Sequence, residues 1–169
     1  MISPLALIGA PPQHRAHRDE PGFAPVIDPT ARIEAFTSVD AGMERPTVIG
    51  PRVWLMKSVH VGHDSIIGEG TEIAPMTSIA GFVTIGKNVT IGQGVTIKNR
   101  LTIGDGARLG MGAVVIRDVP AGATVVGNPA AQLLEGKGPR QKQAELDGTP
   151  HPEMHDASWE EYRDAVLSA

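Results

Sequence analysis

The sequence contains no cysteine. That removes disulfides, thiolate nucleophiles and thiolate metal sites, and leaves the redox compartment undetermined. Aromatic residues make up only 4% of the chain, three Phe, two Trp and one Tyr, so any core must be aliphatic. Positive charge is not in excess: 15 Lys and Arg against 19 Asp and Glu give a net charge of −4. A nucleic-acid or anionic-membrane partner therefore has no electrostatic support. No run approaches the ~20 apolar residues of a membrane-spanning helix, so no membrane insertion is expected. The apolar stretch from Met1 to Ala10 lacks a basic flank and contains Pro4, and it reads poorly as a signal peptide. The expectation is a cytoplasmic protein. There is no phosphate loop of the form Gly-x-x-x-x-Gly-Lys-Ser/Thr. At 169 residues the chain is long enough for one sizeable core and too short for two ordinary domains.

What is abundant is glycine, and much of it is periodic. Aliphatic residues recur every six positions at Ile49, Leu55, Val61, Ile67, Ile73, Ile79, Ile85, Ile91, Ile97, Ile103, Leu109 and Val115. The residue after each is Gly at positions 50, 62, 68, 86, 92, 104 and 110, and Ala at 74 and 80. Four positions after each aliphatic stands a small or β-branched residue, such as Val59, Ser65, Thr71, Thr77, Val83 and Val89. A spacing of six drifts around an α-helix and never forms a stripe. It fits a short strand, a sharp corner and another short strand, with small residues easing the corner and β-branched ones suiting the flats. Three such hexapeptides close one triangular coil. Stacked coils pair their backbones at the ~4.8 Å strand spacing, and only a stack can bury the inward aliphatics. The predicted fold is an all-β parallel β-helix of about five coils. Its handedness does not follow from the period.

An earlier coil shows at Ile27, Ile33 and Val39, after which the spacing slips by four residues through 41–47, read as a protruding loop with Met43, Glu44 and Arg45. Residues 1–25, with Pro4, Pro11, Pro12, Pro21 and Pro25, read as an irregular N-terminal arm. The β-helix spans 26–131. Val125 to Pro129 reads as a short strand and turn, and Gln132–Glu135 as a helical turn. The extension 132–169 is polar and rich in Pro and Gly until Ser158 and Glu161 form a capping box. That box opens a short helix over 159–167 whose Trp159, Tyr162 and Val166 share a face.

Departures from a strong repeat mark candidate functional positions. The small-corner rule fails at Met56, Lys98 and Ile116, and one corner carries His60 and His63 around Gly62, followed by Asp64. Because every third hexapeptide returns to the same face, Gly81, Asn99 and Arg117 should stand above His63, and Ala80, Lys98 and Ile116 above Gly62. Asn99 would lie ~10 Å and Arg117 ~14 Å above His63, two and three strand spacings up. A neutral imidazole there can take the proton from a hydroxyl or amine attacking a thioester. Asp64 or a backbone group would orient the ring, and a Gly81 N–H one coil up would meet the developing oxyanion. Cations farther up suit the phosphates of a long thin donor such as coenzyme A. Taken singly, a surface His beside a glycine corner and solvated Lys98 and Arg117 are ordinary features. Metal binding by His60 and His63 lacks a third ligand on that edge, so no metal is expected.

Leu55-Met56-Lys57-Ser58-Val59-His60-Val61-Gly62-His63-Asp64 resembles the active-site stretch of the hexapeptide-repeat acyltransferases. The likeness is greatest to the UDP-N-acetylglucosamine O-acyltransferases and to sugar acetyltransferases of the sialic acid and bacillosamine type. Ile79-Ala80-Gly81 is similar to the segment one coil later. Gly112 to Pro120 with Val126-Gly127-Asn128-Pro129-Ala130 resembles the terminal signature of the branch that uses acetyl-coenzyme A. The resemblance covers roughly residues 26–131. It implies a left-handed parallel β-helix, a homotrimer and active sites between subunits. It implies His63 as general base, Asp64 as its partner, the Gly81 N–H facing the acyl carbonyl, and His60 near the acceptor. The donor, acetyl-CoA or another acyl-CoA, would lie along the upper coils by Ala80, Lys98, Asn99 and Arg117. Met56, Trp54 and the 41–47 loop are candidates for lining the acceptor pocket.

Three departures stand against the lipid A enzymes: fewer coils below the catalytic one, Phe82 in place of their second motif histidine, and Ala131 where the terminal signature ends in Lys. They favour a small acetyl transfer to an amino or hydroxyl group of a sugar or nucleotide sugar. Two alternatives stand beside that reading. One is a non-catalytic trimeric β-helix serving as a structural scaffold. The other is a metal-dependent hydratase on the same fold, which needs a third interface histidine.

Overall fold

The computed structural model describes residues 1–13 and 22–133. The predicted helix 159–167 and most of the C-terminal extension lie outside the described residues. The chain divides into a unit Met1–Leu133 and a second, Leu134–Ala169. The first unit holds every strand found among the described residues.

Each hexapeptide closes one short strand and one corner, and the strands assemble into three parallel sheets that form the faces of a prism. The first sheet stacks Leu7–Ala10, Ser38–Asp40, His60–Val61, Ser78–Ile79, Thr96–Ile97 and Val114–Val115. The second stacks Val26–Ile27, Val48–Ile49, Ile66–Ile67, Thr84–Ile85 and Thr102–Ile103. The third runs from Arg32–Ile33 through Trp54–Leu55, Glu72–Ile73, Thr90–Ile91 and Arg108–Leu109 to Thr124–Val126. A seventh strand, Ala131–Gln132, turns back antiparallel onto Thr124–Val126. It replaces the helical turn expected from Gln132, and the cis Asn128–Pro129 bond lies in the turn between them.

All twelve six-spaced aliphatics are buried, which fixes the register. Burying each Ile or Leu is worth ~1.5–3 kcal/mol, and a one-residue slip would turn the whole set outward. The core also holds polar side chains, and each of three uses its hydroxyl to hold the next coil. Ser65 Oγ donates to Ala80 O (3.1 Å), Thr71 Oγ1 to Gly86 O (2.8 Å) and Thr77 Oγ1 to Gly92 O (3.1 Å).

Partners lie three hexapeptides apart through the middle coils, as in His60 with Ser78 and Ser78 with Thr96. One coil below, four more residues separate them in all three sheets: Val26 pairs with Val48, Arg32 with Trp54, Ser38 with His60. The extra residues belong to the 41–47 loop. At the top the coil shortens, and Arg108 pairs with Thr124.

The N-terminal segment differs from the irregular arm expected. Leu7–Ala10 pairs with Ser38–Asp40, Ile2 bridges Ile33, and Leu7 N donates to Thr37 O (2.9 Å). Residues 1–10 thus begin a coil beneath the first one legible in the sequence. With one strand on the first sheet and one bridge to the third, this rung carries no repeat of its own, so periodicity could not reveal it. Among the described residues no helix is long and apolar enough to cross a membrane.

Candidate active site

The corner after Val61 joins the first sheet to the second, and the register of the sheets extends to it. His63 therefore lies directly beneath Gly81. A Cβ built on Gly81 would fall 2.4 Å from His63 Cε1 and 2.6 Å from Nε2. The imidazole occupies the space that any larger residue at 81 would need. Gly81 is buried, and its N–H makes no hydrogen bond to another described residue.

His63 is held from its other side. Its Nδ1 is 2.8 Å from Asp64 Oδ2. A carboxylate can only accept, so in the neutral ring the proton sits on Nδ1 and the lone pair on Nε2. Only 14% of the His63 side chain is exposed, and none of that of Asp64.

Asp64 owes its state to the inserted loop. Met43 N (2.9 Å) donates to its Oδ2, and Glu44 N and Arg45 N (both 2.8 Å) donate to Oδ1. The Arg45 guanidinium donates from Nε (3.1 Å) and a terminal nitrogen (3.0 Å) to the Asp64 carbonyl. Burial alone would raise the Asp64 carboxyl, but the Met43 and Glu44 N–H groups, the His63 ring and the Arg45 N–H together hold it below its ordinary value. The loop closes at Gly42, where a Cβ would fall 1.6 Å from Arg45 O, so no larger residue fits. The segment read from sequence as a pocket wall is a cradle for this carboxylate.

Two features of the corner were not found by sequence reasoning. Phe82, read as a departure, sets its ring edge-on to His63, with centroids 5.2 Å apart and planes at 89°. The Arg100 guanidinium covers Phe82 at 4.3 Å, a contact worth ~0.5–1 kcal/mol at an exposed position. Asp64, Phe82 and Arg100, on successive coils, all hold left-handed backbone with φ near 60°, so one corner residue is repeated up the edge. The other feature is Asp40, on the strand below His60. It is 1% exposed, and neither carboxylate oxygen has a hydrogen-bond partner among the described residues. His60 Nε2 stands 3.9 Å from Asp40 Oδ2, and His60 Nδ1 is 2.8 Å from Ser38 Oγ. Burial pushes the Asp40 carboxyl up, countered in part by His60 and His63. The signal was present: Asp40 follows Val39 where the corner rule expects Gly or Ala.

The remaining predicted residues separate into two groups. Ala80 N donates to Ile97 O (3.1 Å) and Lys98 N to Val115 O (2.9 Å), which puts Ala80, Lys98 and Asn99 up the His63 edge as the column rule requires; Arg117 lies in the corner after Val115, where the coil shortens and Val119 bridges Ile103, so the regular count no longer holds there. Lys98, Asn99 and Arg117 are exposed there. Met56 is elsewhere: it follows Trp54–Leu55 of the third sheet, at the edge joining that sheet to the first, and its carbonyl accepts from Thr37 Oγ1 (2.7 Å). Within one chain Met56 and His63 do not share an edge. Among the described residues no three His, Asp or Glu side chains come together to hold a metal ion.

The family model for the bacterial transferase hexapeptide (six repeats) matches residues 46–81 and 82–117. No curated protein sequence matches the chain. Among solved structures, the UDP-N-acetylglucosamine O-acyltransferase LpxA from Moraxella catarrhalis RH4 is similar at 27% identity and a TM-score of 0.75, over 88% of this chain and 57% of that one. WeeI from Acinetobacter baumannii AYE is 32% identical with a TM-score of 0.66, over 78% and 57%. The acetyltransferase domain of PglB from Neisseria gonorrhoeae FA1090, in complex with acetyl coenzyme A, is 32% identical with a TM-score of 0.56, over 64% and 54%. The chain thus spans a little over half the length of the structures it resembles. The coil is the left-handed parallel β-helix of these proteins. Repeat, register and fold are those of the hexapeptide-repeat transferases that the chain resembles.

Proposed function

We propose that this chain transfers an acyl group, in the first instance acetyl, from coenzyme A to an amino or hydroxyl group of a sugar or nucleotide sugar, with His63 as general base. The observation that carries this is the pairing of His63 Nδ1 with the backbone-held Asp64 carboxylate at 2.8 Å, which leaves Nε2 of the neutral ring as proton acceptor, in an imidazole packed under Gly81, whose N–H has no partner among the described residues. The acceptor nitrogen or oxygen attacks the thioester carbonyl while Nε2 takes its proton. Charge then develops on the carbonyl oxygen, which Gly81 N–H is placed to meet. As the tetrahedral adduct collapses, the carbon–sulfur bond breaks and the thiolate takes the proton back from His63. The exposed cations Lys98 and Arg117 lie along the edge above, where the phosphates of coenzyme A are to be held, with Ala80 and Asn99 beside them. The names of LpxA and of PglB with acetyl coenzyme A support this donor and acceptor class. The active form in this reading is a homotrimer, with the His63 edge facing a neighbouring subunit, acting in the cytoplasm.

The test is release of free coenzyme A over a panel of amino sugars and nucleotide sugars, with His63→Ala as control. General-base removal is expected to cost ~10²–10⁴-fold. Equal turnover by both proteins would remove His63 from the mechanism. Absence of coenzyme A binding by calorimetry would favour the structural-scaffold reading.

A further inference from the structure

The loop at 41–47 does more than lay main-chain N–H groups on the Asp64 carboxylate. Its base is fastened at Ala41, whose N–H donates to Ala10 O (2.8 Å). Gly42 beside it exchanges two main-chain hydrogen bonds with Phe23 (2.7 and 2.8 Å). Farther along, one side chain does the fastening. Arg45 donates to the Asp64 carbonyl from Nε (3.1 Å) and from a terminal nitrogen (3.0 Å), while Arg45 N donates to Asp64 Oδ1 (2.8 Å). The two residues are locked together at main chain and side chain alike.

The repeat supplies its own control. Asp64, Phe82 and Arg100 take the same left-handed corner on successive coils, with φ of 60°, 60° and 61°. Among the described residues no side-chain donor reaches the carbonyl of Phe82 or of Arg100, and those corners form all the same. A fork that the fold does without at 82 and 100 is present at 64, where the corner residue holds His63 Nδ1 at 2.8 Å. Nor does the fork serve to ionise the carboxylate. Burial raises the Asp64 carboxyl, and main-chain N–H groups with the His63 ring lower it. What the guanidinium fixes is direction. Two donors of one rigid plane on a single carbonyl resist rotation of the peptide that follows Asp64, and the carboxylate turns with that backbone.

We propose that Arg45 is a positioning residue for the transfer. Its guanidinium holds Asp64, and through Asp64 the His63 ring, at the angle at which Nε2 meets the acceptor. This rests on the acyl-transfer reading above and adds a residue to it. Arg45 exchanges no proton and acts only through Asp64.

The test is steady-state kinetics of Arg45→Ala and Arg45→Lys in the full chain, beside the spectrum of the His63 ring. Arg45→Ala is expected to lose ~10- to 10²-fold in kcat, with KM for acyl-coenzyme A and for the acceptor unchanged. Arg45→Lys is expected to recover little of that loss, because one ammonium cannot reproduce the planar fork. Unchanged kcat in Arg45→Ala would overturn the inference, and so would full recovery by lysine. A rise in KM for the acceptor with kcat intact also overturns it, by making Arg45 a ligand-binding residue. The ring spectrum needs no turnover: the ¹⁵N shifts of His63 must change in Arg45→Ala, and a wild-type spectrum refutes the positioning role. Turnover that survives His63→Ala overturns the acyl-transfer reading instead, and leaves that spectrum to decide the role of Arg45. Thermal melts matching wild type show that both variants are folded.

Discussion

Asp64 and Asp40 stand one coil apart at the same edge of the prism, both essentially inaccessible to water, and the chain treats them in opposite ways. Asp64 receives three backbone N–H groups and a histidine ring. Asp40 receives none among the described residues, and His60 Nε2 stands beyond hydrogen-bond distance. The difference originates in four inserted residues. In the regular coils above, no corner turns consecutive backbone N–H groups onto one carboxylate among the described residues. In the lengthened coil the chain has slack enough to curl back and present consecutive N–H groups to one carboxylate. The β-helix supplies columns, and an irregularity in one coil supplies charge.

The largest break in this comparison is Asp64→Asn. The amide cannot accept as strongly from all its donors, and the His63 tautomer is no longer dictated. The expected loss in kcat is on the order of 10²–10⁴-fold, against a small change in KM for coenzyme A, read by steady-state kinetics. The regular coils provide the contrasting case. Ile79→Ala, in the core beside the same corner, is expected to cost ~2–5 kcal/mol in denaturant unfolding.

The acid limb of stability sharpens the comparison further. Asp64 has a lowered folded-state pKa, so it contributes stability above its unfolded value near 3.8, lost as pH falls through the lower folded value. Asp40 has a raised one, so its contribution is full below its unfolded value near 3.8 and lost as pH rises through the higher folded value. In urea titrations Asp64→Asn should flatten the fall below pH ~4, and Asp40→Asn the decline above it. The smallest effect expected is from Arg100→Ala. It removes the cation over Phe82 and should cost ~0.5–1 kcal/mol, unless Arg100 also meets the donor, in which case KM for coenzyme A rises.

Most of the fold was legible because twelve inward aliphatics at one spacing admit a single closed solution, and the spacing then places residues in columns. His63 under Gly81, and Lys98 and Asn99 above, follow from subtraction alone, whereas the shortened top coil breaks the count at Arg117. Met56, a candidate for lining the acceptor pocket, lies one hexapeptide before the His63 corner and so at a different edge of the same chain. The cradle of Asp64 was not legible, since its donors are main-chain groups of Met43, Glu44 and Arg45 and leave no side-chain signature. Asp40 escaped because the insertion breaks the regular count that would have placed it beneath Gly62. The lowest coil escaped because one strand and one bridge have nothing to repeat.

The central claim is that His63 is fixed as a proton acceptor at Nε2 by an ionised Asp64. The ¹⁵N spectrum of the His63 ring, recorded where the ring is neutral, tests it most directly. A protonated Nδ1 with a bare Nε2, lost in Asp64→Asn, is the predicted result. A proton on Nε2, or a tautomer mixture indifferent to Asp64, would contradict it.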